Sequence, residues 1–503
     1  MKAIHAAFSP EAGKRQTVTN LYIFCMLLFF PLFTGLRGYA AITASKYYFF
    51  AVLTLLWLFS LAGIEIAGRV RPARLELSGI FALALLFVLF LSGALSPMRE
   101  YVFWGAGRYD GLCSSALYIL VFLGVSRYGA LGQEHIFALG TSVCVCGVVS
   151  LLQLLGLDPL WLFPGDLTYY DAGVRYSGVF LGTLGNVDIL AAYLSLALPV
   201  LLGAFTVSDD RSLRLSLIPI FWSAFMLAAA GTAGGLLACL AAAALMFPVL
   251  AVSVRRLSRL LLALGVCCLA AFFAFSVRRA GFAPDVKALC ALALAAAMLI
   301  FSLLSRRLPQ LGIRSLRRAF IISLAVLMVL LLVFLWFYPG GGTLGELSAV
   351  LHGHIDDSFG SSRVLIWRSI LPLVREHPVL GGGPGTLAAR LDVTFSRFIE
   401  ETGETMTTQV DNAHNVYLAC LADVGILGLA LLLALIISAF FCRGGGSGAS
   451  VLRLCVFSGC IEALFGLGLC LSAPLLWIFM GLCAQKDKSE LLSRRFQWTR
   501  KRG

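Results

Sequence analysis

The sequence predicts an all-α polytopic membrane protein with about fourteen transmembrane helices (about 12–14) and a long extracytoplasmic loop before the last three. Three observations lead to this fold class. The 503 residues are 60% hydrophobic and only 13% charged, and the mean hydropathy is +0.91. Apolar runs recur along nearly the whole chain, and basic residues collect in the short loops between them. Lipid is the solvent that accepts so much apolar surface, because a water-soluble fold cannot bury it.

The apolar runs give the order of the helices. We expect them over residues 20–36, 47–67, 77–96, 112–126, 135–157, 186–206, 214–230, 233–253, 258–277, 285–305, 319–338, 415–441, 452–467 and 470–484, the last two forming either spans or a re-entrant pair. The first run predicts an uncleaved helix, because another spanning run follows it at once. The chain then divides into N-terminal transmembrane helices over 1–338, an extracytoplasmic loop over 339–414, C-terminal transmembrane helices over 415–484 and a basic cytoplasmic tail over 485–503.

The basic residues indicate which side of the membrane each loop occupies. An even number of spans leaves both termini on one side, and most of the 39 Lys and Arg residues fall on that side. Both termini are therefore predicted to be cytoplasmic. The loop with Arg278, Arg279 and Lys287 is the exception. The net charge of +13 comes from basic residues in the short loops and the tail, and not from a patch that would bind nucleic acid. We therefore expect the basic tail to contact membrane lipid.

The 14 cysteines lie mostly inside apolar runs, and none lies in the long polar loop. They are typical of small packing residues, so neither a disulfide framework nor a zinc site is expected. Four polar residues of that loop could suggest a metal, namely His352, His354, Asp356 and Asp357. Ordinary loop polarity explains them as well, and we predict no metal and no cofactor.

His414 follows the long loop and precedes an apolar run that begins with Asn415, Val416 and Tyr417. The start of a helix offers free backbone N–H groups and a partial positive charge, which suits an anionic ligand. A neutral imidazole there can act as a general base near neutral pH. The alternative is an ordinary helix cap, with Asp411 or Asn412 as the N-cap residue.

Three arginines lie in the outer loops, which are the segments 96–111, 158–185 and 339–414. Arg363 is a forked donor suited to phosphate, Arg175 is a second candidate and Arg108 a weaker third. The alternative for each is an arginine that reaches toward lipid headgroups. A set of arginines with one histidine on one face of the membrane suits an anionic, lipid-embedded substrate.

Glu462 lies inside an apolar run over residues 456–471. A carboxylate in such a run is either functional or paired with a buried polar group. We expect Glu462 to be structural, held by a hydrogen bond between helices or facing an inner cavity.

Four blocks in order resemble the O-antigen ligase and O-antigen polymerase superfamily of bacterial membrane glycosyltransferases. They contain Arg108-Tyr109-Asp110-Gly111, then Arg175 with Gly185-Asn186, then Arg363 with Trp367 and the segment from Pro378 to Gly385, and finally His414-Asn415-Val416-Tyr417-Leu418 with Asp423, Gly425 and Gly428. They cover most of the chain from Ser96 to about Leu433.

The resemblance implies a GT-C-like fold in the cytoplasmic membrane of a bacterium. It implies metal-independent, inverting transfer of a glycan from an undecaprenyl-diphosphate donor to a glycan or lipid acceptor. By the same resemblance His414 is the catalytic base, Arg175 and Arg363 bind the diphosphate, and Arg108, Asn415 and Tyr417 contact the substrate. Asp423 stands where the family usually has Glu, which puts a pairing of that acid with His414 in doubt.

Two other classes of function stay open at this point. A transporter of an anionic lipid or polysaccharide would place polar groups near the bilayer midplane on broken helices in two related halves, and only Glu462 fits that pattern. A sensor or scaffold without catalysis would tolerate the loss of His414. By the same resemblance, the motifs do not separate a ligase, a repeat-unit polymerase and an enzyme that O-glycosylates protein.

Overall fold

The computed structural model describes residues 13–68, 75–163, 168–169, 174–175, 180–210, 212–278, 281–307, 310–399, 404–442 and 446–485. Almost all of the regular secondary structure in these residues is helical. The helices are α1 (Lys14–Leu28), α2 (Ile42–Gly68), α3 (Leu77–Leu95), α4 (Arg99–Val102), α5 (Leu112–Tyr128), α6 (Gln133–Leu154), α7 (Val187–Val207), α8 (Leu217–Ala230), α9 (Ala233–Leu250), α10 (Val254–Ser276), α11 (Val286–Ser305), α12 (Gln310–Trp336), α13 (Gly342–Leu351), α14 (Phe359–Glu376), α15 (Leu387–Arg390), α16 (Val416–Phe440), α17 (Ser447–Glu462) and α18 (Ala473–Cys483).

Three antiparallel hairpins are the β-structure of the described residues. They pair β1 (Thr168–Tyr169) with β2 (Val174–Arg175), β3 (Val277–Arg278) with β4 (Gly281–Phe282), and β5 (Thr394–Ile399) with β6 (Glu404–Gln409). In the longest hairpin Thr394 lies opposite Gln409 and Ile399 opposite Glu404.

Ten helical segments of the described chain are long and apolar enough to cross a membrane. Two shorter apolar helices, α5 and α18, accompany them. The predicted all-α polytopic membrane fold is thereby confirmed in general. The count of about fourteen spans and the GT-C-like arrangement stay predictions.

The first helix differs most from its predicted range, because α1 ends at Leu28 and not near residue 36. Pro31 has no backbone N–H and cannot continue the helical hydrogen bonding. The fully buried Lys46 of α2 reaches this end of α1 and donates to the carbonyl oxygens of Phe30 at 2.8 Å and Pro31 at 3.0 Å. The buried Lys46 side chain thus binds two carbonyl groups of the turn that follows α1.

Helix α7 is the centre of the bundle, since the whole of its spanning window is buried. It packs against α17, α9 and α8, among others. By contrast, only 6% of the window of α12 is buried within the protein. In a membrane its apolar side chains face lipid, as expected of a helix at the periphery of the bundle.

The long loop is folded against the start of α16. The predicted amphipathic helix over 361–374 lies within α14, whose Ile366 and Ile370 are buried with Leu387, Val393 and Ala422 in a second hydrophobic cluster. The sequence reasoning missed α13 and the β5–β6 hairpin in this loop. The domain limits at residues 338, 414 and 484 stay predictions.

Gly425 interrupts α16 with a φ of +71° and a ψ of −172°. A Cβ atom at this residue would lie 2.3 Å from the carbonyl carbon of Val379. Because glycine has no Cβ atom, the long loop can pass close to the backbone of α16 at this residue. At this crossing the backbone N–H of Ile426 donates to the carbonyl oxygen of Pro378 at 2.9 Å.

We predict that Gly425→Ala destabilises the protein by roughly 2–4 kcal/mol, because the methyl group meets backbone and the residue keeps a left-handed conformation. The control is Gly63→Ala in α2, where no heavy atom lies within 4 Å of the added Cβ. The measurement is the midpoint of thermal unfolding in one detergent. Equal midpoints for the two variants would contradict the close crossing.

Candidate functional site

Four segments that connect or precede helices meet at one end of the helix bundle. The segment 96–111 follows α3, the segment 180–186 precedes α7, α14 belongs to the long loop, and residues 411–415 precede α16. Contacts between Arg108 and Asp411, between Arg363 and Asp188, and between His414 and Asp188 join them. The structure thus brings three of the predicted site residues, His414, Arg363 and Arg108, to one place.

His414 has a strained backbone and a half-buried ring. Its φ is +46°, and its backbone N–H donates to Oδ1 of Asn412 at 3.0 Å. Its Nδ1 is buried and makes no hydrogen bond to any described residue. The nearest carboxylate oxygen, Oδ2 of Asp188, is 3.9 Å away. A strained residue with an unpaired ring nitrogen is typical of a functional position.

The imidazole of His414 favours the neutral form. Burial lowers its pKa below the usual 6.5, the Arg363 guanidinium lowers it further, and the carboxylate of Asp188 opposes the shift. The ring is therefore neutral and able to accept a proton at neutral pH.

Arg363 contacts the same carboxylate, with Nη2 3.8 Å from Oδ2 of Asp188. Its Nη1 donates to the carbonyl oxygen of Gly360 at 3.0 Å, while its Nε is buried without a hydrogen bond among the described residues. Gly360, Ser361 and Ser362 all have positive φ at the start of α14. This turn directs the guanidinium toward Asp188, and leaves donor capacity for a ligand.

Asp188 is held in the first turn of α7 by the residues before it. Asn186 caps the helix, and its Oδ1 accepts from the backbone N–H of Asp188 at 2.7 Å and of Ile189 at 3.4 Å. Behind this cap, Oε1 of Gln153 accepts from the backbone N–H groups of Leu181 and Gly182 at 3.0 and 2.9 Å. The carboxylate thus projects from the central helix between His414 and Arg363.

Arg108 forms an ion pair with Asp411, in which Nη2 and Nε lie 2.5 and 2.6 Å from Oδ2. Each side chain keeps more than a third of its surface exposed. The pair joins the segment 96–111 to the residues before α16. The predicted contact of Arg108 with substrate stays a prediction.

Asn415 and Tyr417 have structural partners. Asn415 is the N-cap of α16, the role considered above for Asp411 or Asn412, and its Oδ1 accepts from the backbone N–H groups of Tyr417 and Leu418 at 3.0 Å each. The Tyr417 hydroxyl donates to the carbonyl oxygen of Cys460 at 2.9 Å. Their substrate contacts stay predictions. The side chain of Arg175 lies outside the described residues, although its backbone pairs with Thr168 in the first hairpin.

Asp423 is engaged away from His414. Its Oδ1 accepts from Nη2 of Arg390 at 2.9 Å, and its Oδ2 from the backbone N–H of Gly385 at 3.0 Å. Arg390 also donates to the carbonyl oxygen of Ala422 at 3.0 Å. The Arg390 and Asp423 side chains are only 6% and 14% exposed. Asp423 therefore anchors the glycine-rich segment, residues 381–385. The carboxylate near His414 is Asp188.

The glycine-rich segment fixes the segment 96–111 in turn. The carbonyl oxygen of Gly385 accepts from the backbone N–H of Ala106 at 3.1 Å, and Ser96 donates to the carbonyl oxygen of Gly382 at 2.6 Å. A Cβ atom at Gly385 would lie 2.8 Å from the Cα atoms of Gly105 and Gly111. Only glycine permits this contact between the two loops.

A cavity of about 200 Å³ lies beside this site, between α3, α5, α7, α16, α17 and α18. Glu462, the last residue of α17, lines it and is 7% exposed. Glu462 thus faces an inner cavity, one of the two positions expected for it. Within the described residues no group of three or more His, Cys, Asp and Glu side chains is arranged to hold a metal ion.

Sequence reasoning missed the partners of the predicted residues. For Asp188 the sequence offers only a weak signal, an acid at the beginning of a strongly apolar helix. Arg390 carried no local signal, because its partner lies 33 residues further along the chain.

Residues 287–433 match the O-antigen ligase family. The matched range includes Arg363, Arg390, His414 and Asp423, whereas Arg108 and Asp188 precede it. No curated protein and no solved structure matches the chain.

Proposed function

Because the chain is a member of the O-antigen ligase and polymerase superfamily, we propose that it transfers a glycan from undecaprenyl diphosphate to an acceptor hydroxyl. The reaction takes place on the extracytoplasmic face of the bacterial cytoplasmic membrane, with both chain termini in the cytoplasm. The acceptor is a glycan or a lipid. The observation that carries this proposal is the neutral His414 ring beside Asp188 and Arg363 at one end of the bundle.

His414 acts as the general base. A proton on Nδ1, which faces Asp188, leaves Nε2 as the acceptor for the proton of the acceptor hydroxyl. Asp188 stabilises the imidazolium that forms, since its carboxylate lies 3.9 Å from Nδ1. The separation is longer than a hydrogen bond, so the interaction is electrostatic and depends on the low dielectric of the site.

The arginines act on the leaving group. The acceptor oxygen forms a bond to the anomeric carbon, the bond from that carbon to the phosphate oxygen breaks, and the electron pair stays on undecaprenyl diphosphate. Arg363 and Arg175 bind this diphosphate, with Arg108 close by. A guanidinium binds phosphate through two parallel N–H groups, which is why arginine suits this role. A single displacement of this kind inverts the anomeric centre and needs no metal.

We predict that His414→Ala lowers transfer by about a hundredfold to ten-thousandfold, a loss of roughly 3–5 kcal/mol of transition-state stabilisation. Donor binding survives because the arginines remain. The measurement is glycan transfer by the purified variant in nanodiscs, beside a donor-binding assay. The control is His377→Ala, which changes an exposed histidine at the end of α14 and leaves transfer within about threefold. Turnover of His414→Ala within a few-fold of the parent would refute the base role, and lost donor binding would make His414 a binding residue.

The pH profile of kcat/KM gives a signed test of the same base. The acidic limb falls below pH 6.5, because the pKa of His414 is lowered by burial and by Arg363. Arg363→Gln removes a cation and moves the limb toward higher pH, whereas Asp188→Asn removes an anion and moves it toward lower pH. The limb position is read from normalised profiles, so that a loss of donor binding does not obscure it. A limb that stays in place in both variants contradicts the assignment.

We predict that Arg363→Lys and Arg175→Lys weaken binding of undecaprenyl diphosphate by about tenfold or more, because lysine keeps the charge but loses the two-pronged contact. The matched control is Arg368→Lys on the same helix. Arg368 is half exposed and binds Asp357 at 2.6 Å, so its replacement leaves donor affinity unchanged. Direct binding to the protein in nanodiscs is the measurement. Parental affinity in the Arg363 and Arg175 variants would end the bidentate proposal.

A further inference from the structure

Three connections between helices meet at the end of the bundle that lies away from the candidate site. They are the α7–α8, α9–α10 and α11–α12 connections. Arg259, in the second turn of α10, donates to the carbonyl oxygen of Ser208, which follows α7. Nε of Arg306, which follows α11, donates to Oγ of Ser258 at 3.2 Å. Since α7 begins at the candidate site and has 21 residues, this end lies roughly 30 Å from Asp188.

These connections are rich in arginine and poor in acid. No Asp or Glu occurs over residues 211–284 or 286–345. The carboxylate of Asp209 pairs with two arginines at once, because its Oδ1 lies 3.2 Å from Nη1 of Arg255 and 3.6 Å from Nη1 of Arg259. A single carboxylate shared between two guanidinium groups neutralises only part of their charge.

Helix α12 is attached to α9 next to these arginines. Nη2 of Arg317 donates to the carbonyl oxygen of Pro248, and the rings of Phe320 and Phe247 have centroids 4.3 Å apart. Further along, α12 does not pack against the other described helices. The consecutive residues 326–334 are each between 41% and 61% exposed. This stretch makes about two and a half helical turns, so all of its faces are exposed.

The arginines that these contacts bring together form a basic corner. Arg259 interacts electrostatically with Arg214 and Arg256 as well as with Arg255, so its members are Arg214, Arg255, Arg256, Arg259, Arg306 and Arg317. Apart from Arg255 and Arg259, no member forms a salt bridge with a carboxylate of the described chain. Cations that lie this close repel one another, so an anion bound among them is stabilised.

The basic corner adjoins apolar surface. The exposed stretch of α12 over residues 326–334 is entirely apolar, and on its neighbour α9 Leu240 and Val249 are exposed. In a bilayer, acyl chains therefore occupy the space around α12, including its side toward α9. A free phosphate would leave this surface unused, and a neutral lipid would leave the arginines without an anion. A molecule with an anionic head and acyl chains matches both parts.

We propose that an anionic phospholipid binds here, with its phosphate at the basic corner and its acyl chains along α12 and α9. In the orientation proposed above, this site belongs to the cytoplasmic leaflet. The bound lipid joins α12 to α10 and so steadies the helix that leads into the long loop. The proposal goes beyond glycosyl transfer and does not rest on it.

The first experiment compares two lipids that share their acyl chains and differ in charge. The full chain in a mild detergent is titrated with phosphatidylglycerol or phosphatidylcholine, and bound lipid is measured by native mass spectrometry. We expect phosphatidylglycerol to bind about tenfold more tightly or better, because several arginines face its headgroup. Excess inorganic phosphate does not displace it, since the acyl chains also contribute. Equal affinities for the two lipids, or displacement by phosphate, overturn the proposal.

The second experiment removes one charge at a time. Arg256→Gln and Arg306→Gln each lower phosphatidylglycerol affinity by about fivefold and leave phosphatidylcholine affinity unchanged. The matched control is Arg127→Gln in the last turn of α5, at the same end of the bundle, where the exposed guanidinium lies 5.3 Å from the ring centroid of Tyr128. This variant keeps its phosphatidylglycerol affinity within about twofold. Thermal unfolding checks that each variant is folded. Parental affinity in both folded corner variants, or an equal loss in the control, overturns the proposal.

The third experiment locates the acyl chains on the unaltered chain, so it holds even where a variant does not fold. Phosphatidylglycerol with a diazirine on one acyl chain is added to nanodiscs of phosphatidylcholine, and labelled peptides are identified after illumination. We expect labelling of α12 and α9 that unlabelled phosphatidylglycerol competes away. Labelling of α3, where Phe87 and Phe90 are also exposed, is weaker and does not respond to the competitor. Equal labelling of α3 and α12 without competition indicates bulk lipid and overturns the proposal.

A second copy of the chain is the other occupant that could cover α12. The mass spectra of the first experiment measure the oligomeric state directly. A dimer in which α12 is not labelled, and in which bound lipid does not depend on headgroup charge, overturns the phospholipid site in favour of a protein interface. None of these measurements uses glycan transfer, so the failure of either proposal leaves the other intact.

Discussion

The buried ion pair between Arg390 and Asp423 determines how the outer loops are arranged. Asp423 belongs to α16, Arg390 ends α15, and the same carboxylate binds the backbone of Gly385. Breaking a buried ion pair leaves an uncompensated charge, which is strongly unfavourable at low dielectric. The pair therefore holds the glycine-rich segment on α16, and that segment holds the loop that carries Arg108. The arrangement of charges around His414 depends on this connection.

The electrostatics of the site follow from its location at one end of an apolar bundle. His414, Asp188 and Arg363 lie where the central helix α7 begins, so their mutual interactions are screened less than they would be on an open surface. Burial keeps the imidazole neutral, and the adjacent carboxylate stabilises the charge that proton transfer would create. A transporter would need its polar groups near the bilayer midplane. In this fold the cluster of charges, including Arg108 and Asp411, lies at the helix ends.

Much of the fold could be predicted from the sequence because length and hydrophobicity alone define a spanning helix. The exceptions have local causes. Pro31 ends α1 early, and only tertiary structure reveals that Lys46 supports this end. The β5–β6 hairpin was missed because a short, largely polar hairpin shows no strong alternation of hydrophobic and polar residues. For the site, His414 and Arg363 carried a recognisable pattern. Asp188 did not, since its distance to His414 depends on the packing of α7 against the outer loop.

The left-handed backbone at His414, with a φ of +46°, has a further consequence. A histidine in this conformation costs the folded state about 1–2 kcal/mol relative to a glycine, which adopts it freely. The backbone conformation at this position therefore does not favour the residue present. Stability and chemistry oppose each other at the proposed base, and the surrounding outer loops, anchored through Arg390 and Asp423, supply the rigidity that keeps the unfavourable conformation in place.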